Sequence, residues 1–426
     1  MWLFIESLDV LLFRDSKPFA AGEGFWARSV FPPNSLPFMG ALRAKLLVDN
    51  DIRFEDYHKF LNEKNKPIPL NLKQKIQPIA DLIGSSEDYG KLTLTGPFLS
   101  RQDSTNKLTT FFPAPLDLIL GKNRVKYLKP RSFGWGLKTL KALTDKSEYN
   151  FSALPLWTDE SGDLPEEKYI KTSGVINYLK GSPRLQINDS TDIWGNEFQV
   201  GIEKGAQRTA EIGKIYSVEF IRLREIINSQ GFSSFGFLVK LEDFTSAEFK
   251  TQGLLALGGE GRAAKYTKIE ESEINSLVEL IQGDFLIDSL QGEKRFKIYL
   301  ATSAVFSNGW YPDFLKAEND GLVGEINGLK FKLISASVNK PTTVSGWNLV
   351  KNRPRPLVKA VPAGSIYHFE LLGGEIFDEA KIESLRSKFH FKPLTGNCQN
   401  ALGHIPKNDL REYGKAGFGL ALVGRI

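Results

Sequence analysis

Cysteine is nearly missing from this chain: among 426 residues there is one, Cys398. A single thiol cannot close an internal disulfide, so the fold must rest on its core, and Cys398 reads as an inert thiol. Four histidines leave little material for a zinc site. Charge of one sign is scarce as well. The 55 Lys+Arg stand against 50 Asp+Glu, a net of +5 that announces nucleic-acid binding only if the cations cluster. Long apolar runs are also lacking. The first is interrupted by Glu6 and Asp9 and has no basic segment before it, so neither a secretory signal nor a membrane span is expected, and a cytoplasmic location follows. The sequence has no P-loop, nucleophile elbow or metal-binding histidine pair, and no cofactor or metal is expected.

What remains is ordinary globular material, 41% hydrophobic and 25% charged, in a length that accommodates two domains. The opening is the most structured stretch. An apolar strand from Trp2 to Phe13 ends in the charged turn Arg14-Asp15-Ser16-Lys17-Pro18, and a loop with Gly22 and Gly24 leads to a helix after Pro32-Pro33. Asn34 or Ser35 suits the N-cap, and Pro37 is harmless in the first turn, where its missing amide has no intrahelical partner. Leu36, Met39, Leu42, Leu46 and Leu47 share one face, leaving Arg43 and Lys45 off it.

Downstream, residues 50 to 90 are polar, LTLTGPFLS and LTTFFPAP read as a hairpin, and residues 160 to 210 are again polar and Gly-rich. KIYSVEFIRLRE alternates as a strand, GFSSFGFLVKLEDF as its antiparallel neighbour, and SAEFKTQGLLAL has helical spacing with Ser246 as its cap. Gly258-Gly259-Glu260-Gly261-Arg262 follows, then the strand AAKYTKIE. With the opening strand and helix this spells β-α-β-β-α-β, a ferredoxin-like order, with about residues 50–210 inserted after the first helix. The order returns in the strands KRFKIYLATSAVF, FKLISASVNKP and GSIYHFELL, the helix EAKIESLRSKFH and the closing AGFGLALVGRI, without an obvious first helix. The expected class is therefore α+β: two tandem ferredoxin-like, RRM-like domains over 1–280 and 281–426, the first carrying the insertion.

Three places concentrate cations. Around Gly258, Gly259 and Gly261, glycines permit close backbone approach to a phosphate while Arg262 and Lys265 supply charge; a helix C-cap and turn is the plainer alternative. Residues 121–141 hold seven cations, Lys129 and Arg131 among them, and no acid, with Tyr127, Phe133 and Trp135 interleaved. That suits a single-stranded nucleic acid, or equally a solvated hairpin with its aromatics turned inward. Lys351, Arg353, Arg355 and Lys359 crowd a loop stiffened by Pro354 and Pro356, which loses little entropy on binding an anionic strand.

FRDSKPF, the Gly22-Glu23 pair and FPPNSLPFMGALR resemble the signature of one family, the RAMP subunits of the type III-B (Cmr) CRISPR interference complex that sit beside its large polymerase-like subunit. The Gly-rich loop before the last strand, the Ser345-Gly346-Trp347 segment, Val361-Pro362-Ala363-Gly364-Ser365 and the closing AGFGLALVG are similar to stations of that family. The resemblance implies a non-catalytic subunit that holds the repeat-derived 5′ tag of the CRISPR RNA and docks on the large subunit and a neighbouring backbone RAMP subunit. Its RNA track would run along Arg14, Lys17, Arg28, Arg43, Arg262 and Lys265, with close approach at Gly22, Gly24, Gly258, Gly259 and Gly261. Contacts would go mostly to phosphate and 2′-hydroxyl. A metal-independent CRISPR-RNA endonuclease using His58, and a scaffold touching only proteins, are the alternatives. The fold alone decides among none of them.

Overall fold

The computed structural model describes residues 1–15, 26–62, 68–122, 125–131, 154, 156–159, 161–182, 184–204, 210–229, 231–242, 249–318, 321–348, 353–396 and 407–426. They form two compact units of mixed α+β structure. The first comprises residues 1–108, 191–273 and 343–358; the second comprises 109–190, 274–342 and 359–426. Among the described residues no helix is long and apolar enough to cross a membrane.

The first unit is built around β1 (Trp2–Ser7). Trp2, Leu3, Phe4 and Ile5 are all buried, as a continuous apolar run should be when a strand has neighbours on both edges and cover on both faces. Its partners are the antiparallel strands Gly231–Glu242 and Ala263–Ile269. Helix α1 (Leu36–Asp49) buries Met39, Leu42, Leu46 and Leu47 of the face its spacing forecast, with Phe38 buried beside them and Leu36 only half-buried. Asn34 Oδ1 accepts from the Leu36 amide at 3.0 Å, so the asparagine, rather than Ser35, serves the helix start. Two more helices follow, α2 (Phe54–Leu61) and α3 (Leu70–Ile83).

Three expectations change here. The strand expected from Trp2 to Phe13 ends at Ser7: Leu8 and Asp9 turn outward, and Val10 to Phe13 cross to a second sheet, where Leu11 bridges Ile221. KIYSVEFIRLRE does not lie beside the core strand. Ala210–Leu223 instead forms a hairpin with Trp194–Lys204 and a parallel edge with β2 (Trp26–Ala27). Besides β1, Gly231–Glu242 pairs with β3 (Thr93–Gln102), which comes from within the expected insertion, and at its start with Glu225–Asn228, whose first residue is the last of KIYSVEFIRLRE. Finally, Gln252–Ala256 is a strand paired with Ala263–Ile269, not a helix. Gly253 disfavours a helix, and the exposed Leu254 beside the buried Leu255 has the period of two that a pleated strand imposes. Ser246 lies outside the described residues.

The second unit holds an antiparallel sheet in the order Lys316–Glu318, Gly321–Ile326, Leu329–Ser337, Ile366–Leu371, Arg295–Leu300, Leu420–Gly424, Lys392–Pro393. Helix Glu379–Phe389 is capped by Asp378, whose carboxylate accepts from the Lys381 amide, and covers the sheet with Ile382, Leu385 and Phe389. In place of a first helix, the chain runs a strand meander from Lys316 to Ser337.

Two histidines of this unit are structural. His390 Nε2 donates to the Leu280 carbonyl at 2.6 Å while Nδ1 accepts from the Val423 amide at 3.1 Å, and burial pushes its pKa down to about 4. His368 is buried against Asp117 and also lowered, chiefly by burial. A group whose folded pKa lies below its unfolded value stabilises above the unfolded value and loses that stability as pH falls through the folded one. For His390 the window runs from 6.5 down to about 4, which amounts to roughly 3 kcal/mol. Melting temperatures at pH 7, 5.5 and 4 should therefore fall steadily, and His390→Gln should flatten the slope. An unchanged slope in the variant would place the acid sensitivity elsewhere.

Candidate nucleic-acid interface

The opening loop is anchored at both ends. The Asp15 amide donates to the Arg28 carbonyl at 3.1 Å and the Val30 amide to the Phe13 carbonyl at 2.7 Å, so residues 13–15 and 28–30 run as a short ladder. Arg14, exposed, bridges Ser29 across it. Lys17, Gly22 and Gly24, on the loop itself, lie outside the described residues. Beneath the ladder, Val10, Leu12, Ala27, Val218 and Phe220 form one apolar cluster.

The Gly258–Arg262 segment packs against the same place. Because a strand and not a helix precedes it, it is a hairpin turn rather than a helix C-cap, closed by the Leu257 amide donating to the Arg262 carbonyl at 2.8 Å. Gly258 has φ +80°, and a Cβ there would fall 2.4 Å from the Leu12 carbonyl oxygen. The Gly259 amide donates to that oxygen at 2.7 Å, so it already has a partner. Gly261, at φ +59°, faces open space. The Arg262 guanidinium lies 4.3 Å over the Phe220 ring and 3.1 Å from the Glu260 carboxylate, with its Nε buried and unpartnered. Lys265, exposed on the neighbouring strand, sits 3.7 Å from Glu6 across the ladder.

Arg222 neutralises two acids at the rim, Glu197 at 2.6 Å and Asp9 at 2.9 Å. Its hydrogen bond holds the Glu197 carboxyl below the usual carboxylate range, helped by Gln199 and by the charges of Arg222 and Arg262. The structure thus brings Arg14, Arg28, Gly258, Gly259, Gly261, Arg262 and Lys265 onto one part of the first unit.

Arg43 is used differently. Its guanidinium donates to the Ser85 carbonyl and lies 5.1 Å from the Tyr89 ring centroid. Burial lowers its pKa, opposed by Tyr89, Tyr57 and Asp88 and reinforced by Arg355. Arg355, far away in sequence, donates to the Ser86 carbonyl at 3.4 Å and lies 6.0 Å from the same ring. The two arginines clamp the 84–90 turn from opposite ends of the sequence. Arg353 pairs through its backbone with Asn348; its side chain lies outside the described residues.

Lys129 and Arg131 belong to the second unit, where Lys129–Pro130 pairs with Leu156–Trp157 and Arg131 lies 4.5 Å over the Trp157 ring. Tyr127 packs inward, stacked on Tyr178 at 5.7 Å with its hydroxyl donating to the Ser182 carbonyl. Phe133 and Trp135 lie outside the described residues, as do Cys398 and His404. His58 is half-buried on α2 with Asn62 Nδ2 at 3.2 Å from its ring.

Sequence reasoning missed two residues of the first unit. Trp26 lies under the Arg28 guanidinium at 4.3 Å and beside Phe198 at 6.0 Å, and both rings are exposed. The only signal was alternation, Trp26 with Arg28 and Phe198 with Val200, in stretches too polar to read as core.

The chain is thus an α+β protein whose first unit carries arginines beside exposed aromatic rings. Over residues 3–426 the chain matches the family model described as CRISPR-associated protein (Cas_Cmr3), and it belongs to that family. The resemblance of the opening stretch to a Cmr subunit is thereby borne out at the level of the family. None of the curated proteins matches it. Among solved structures, one chain from the cryo-EM structure of the Type III-B Cmr-beta bound to cognate target RNA is similar at 13% identity and TM-score 0.45, over 99% of this chain and 96% of that one. Another, from Type III-B Cmr-beta bound to cognate target RNA and AMPPnP, is similar at 12% identity and TM-score 0.42, over 86% of each.

Proposed function

We propose that the chain is a non-catalytic RNA-binding subunit of a type III-B CRISPR interference complex in the cytoplasm, holding the repeat-derived 5′ tag of the CRISPR RNA. It docks on the large polymerase-like subunit beside a backbone RAMP subunit. The observation that carries this reading is the glycine turn Gly258–Arg262, packed on Leu12 just before the ladder that holds Arg14 and Arg28, with Lys265 on the strand that follows the turn, in a member of the Cas_Cmr3 family. Each unit is read as one βαββαβ plan. In both, the first core strand lies between the third and fourth, while a hairpin replaces the second helix in one unit and a meander replaces the first helix in the other. Support for a non-catalytic role comes from the described histidines: His368 and His390 are buried in structural bonds, and the ring of His58 has, among the described residues, the Asn62 amide as its hydrogen-bond neighbour.

The test is affinity for a tagged against an untagged guide RNA. Arg28→Ala and Arg262→Ala should each weaken binding of the tagged guide about tenfold and lower the salt slope by about 0.7, as expected for one lost phosphate contact on a single strand. Arg43→Ala should act mainly on the melting temperature, because its guanidinium is buried on a carbonyl. Repeat RNA should stay uncut by wild type and by His58→Ala alike. Equal affinity for both guides, or no loss in the two arginine variants at physiological salt, would discard the reading.

A further inference from the structure

The hairpin in the first unit has two faces. Side chains alternate along a strand, so Tyr216, Val218 and Phe220 point to the apolar cluster while Phe198 and Val200 point away from it. The parallel register of Trp26 with Ser217 places the indole on that outer side, and Arg28, two residues on, shares it. Trp26 is 51% exposed, Phe198 60% and Val200 70%. Neighbouring large apolar groups left to water in this way mark a contact surface, whereas scattered ones do not.

Charge identifies the partner. The Arg28 guanidinium rests on the Trp26 ring, and among the described residues it makes no ion pair. The acid across from Phe198, Glu219, is engaged by the Asn196 amide at 2.6 Å. Two exposed rings inclined at 64° to one another, beside a cation that makes no ion pair among the described residues, offer separate ring faces to a ligand that is flat and apolar on its faces and anionic along its length. Unpaired bases on a phosphate backbone have those properties, and stacking on aromatic rings accepts any base.

We propose that Trp26 and Phe198 form a stacking platform for one or two unpaired bases of a single-stranded RNA, with Arg28 contacting the adjoining phosphate. This rests on the RNA-holding reading above and names the surface that would grip the bases.

The experiment uses the full chain and a fluorescent single-stranded RNA carrying the repeat-derived tag. Trp26→Ala and Phe198→Ala should each weaken binding about 5–150-fold, the range for losing one stacked base. The salt slope should stay unchanged, since no phosphate contact is lost. Trp26→Phe should restore most of the affinity, and Arg28→Ala should lower affinity and slope together. Exposed substitutions of this kind should leave the melting temperature nearly unmoved. RNA binding that survives both alanine substitutions overturns the platform and leaves the RNA-holding reading standing, and the face then serves a protein partner. A wild-type chain that binds no RNA overturns that reading, and the platform with it.

Discussion

Replacing Asp117 by alanine should destabilise the second unit by about 3–5 kcal/mol, the usual consequence of leaving a buried charge without its counter-charge. Asp117 is buried and serves three partners: it accepts from the Tyr178 hydroxyl at 2.6 Å, faces His368 Nε2 at 3.2 Å and lies 4.0 Å from Lys297 Nζ. Burial alone would raise its pKa. The Lys297 charge and the bonds from His368 and Tyr178 outweigh burial and hold the carboxyl below its ordinary value. Lys297 is fully buried, its ammonium 3.4 Å from the Tyr178 ring centroid and 5.1 Å from that of Tyr127, without a hydrogen-bond acceptor. Burial pushes its pKa down to about 8, with Asp117 opposing and Lys129 adding to the fall.

Without the carboxylate, the ammonium keeps only ring faces and the tyrosine hydroxyl loses its acceptor. The loss should appear as a melting temperature lower by about 10 °C, at 2–4 °C per kcal/mol for a domain of this size. Asp117→Asn combined with Lys297→Met, which removes both charges at similar volume, should recover most of it. The lysine also carries a pH signature. Its folded pKa is below its unfolded value, so its contribution is full above about 10.5 and lost as pH falls toward about 8. Between those values wild type should gain stability with rising pH relative to Lys297→Met. An Asp117→Ala protein that melts with wild type would show that the cluster contributes nothing net.

Little of that cluster was legible in the sequence. In the strand KRFKIYLATSAVF, Lys297 reads as a solvent-facing position between apolar ones, because alternation reports which side a residue faces and not what covers that side. Tyr178 and Asp117 supply the cover from elsewhere in the chain. The same non-locality hid β3: LTLTGPFLS was recognisable as a strand, but its pairing with Gly231–Glu242 is fixed by a distant partner. Arg43 and Arg355 met for a similar reason, around a tyrosine that no motif marked. What the sequence did show was local: the buried face of α1, the closing strands and the glycine turn, each set by spacing or by a backbone that only certain residues adopt.

The two glycines of that turn should separate its structural use from its binding use. Gly258 combines φ +80° with ψ −161°, a region open essentially to glycine, and its missing Cβ leaves room for the Leu12 carbonyl. Gly258→Ala should therefore cost roughly 2–5 kcal/mol from backbone strain and overpacking. The lost Leu12–Gly259 hydrogen bond would loosen the turn that presents Arg262, so guide affinity should fall along with the melting temperature. Gly261 is left-handed as well, but a Cβ there meets nothing within 4 Å. Gly261→Ala should cost only about 1–2 kcal/mol. If an RNA phosphate passes close to this turn, the added methyl group should still weaken guide binding several-fold, against a melting temperature lowered by a few degrees. Both variants are read by thermal melting and by guide affinity at fixed salt. A Gly261→Ala chain that binds the tagged guide as tightly as wild type would leave the glycines a folding role and assign the RNA contact to the arginine alone.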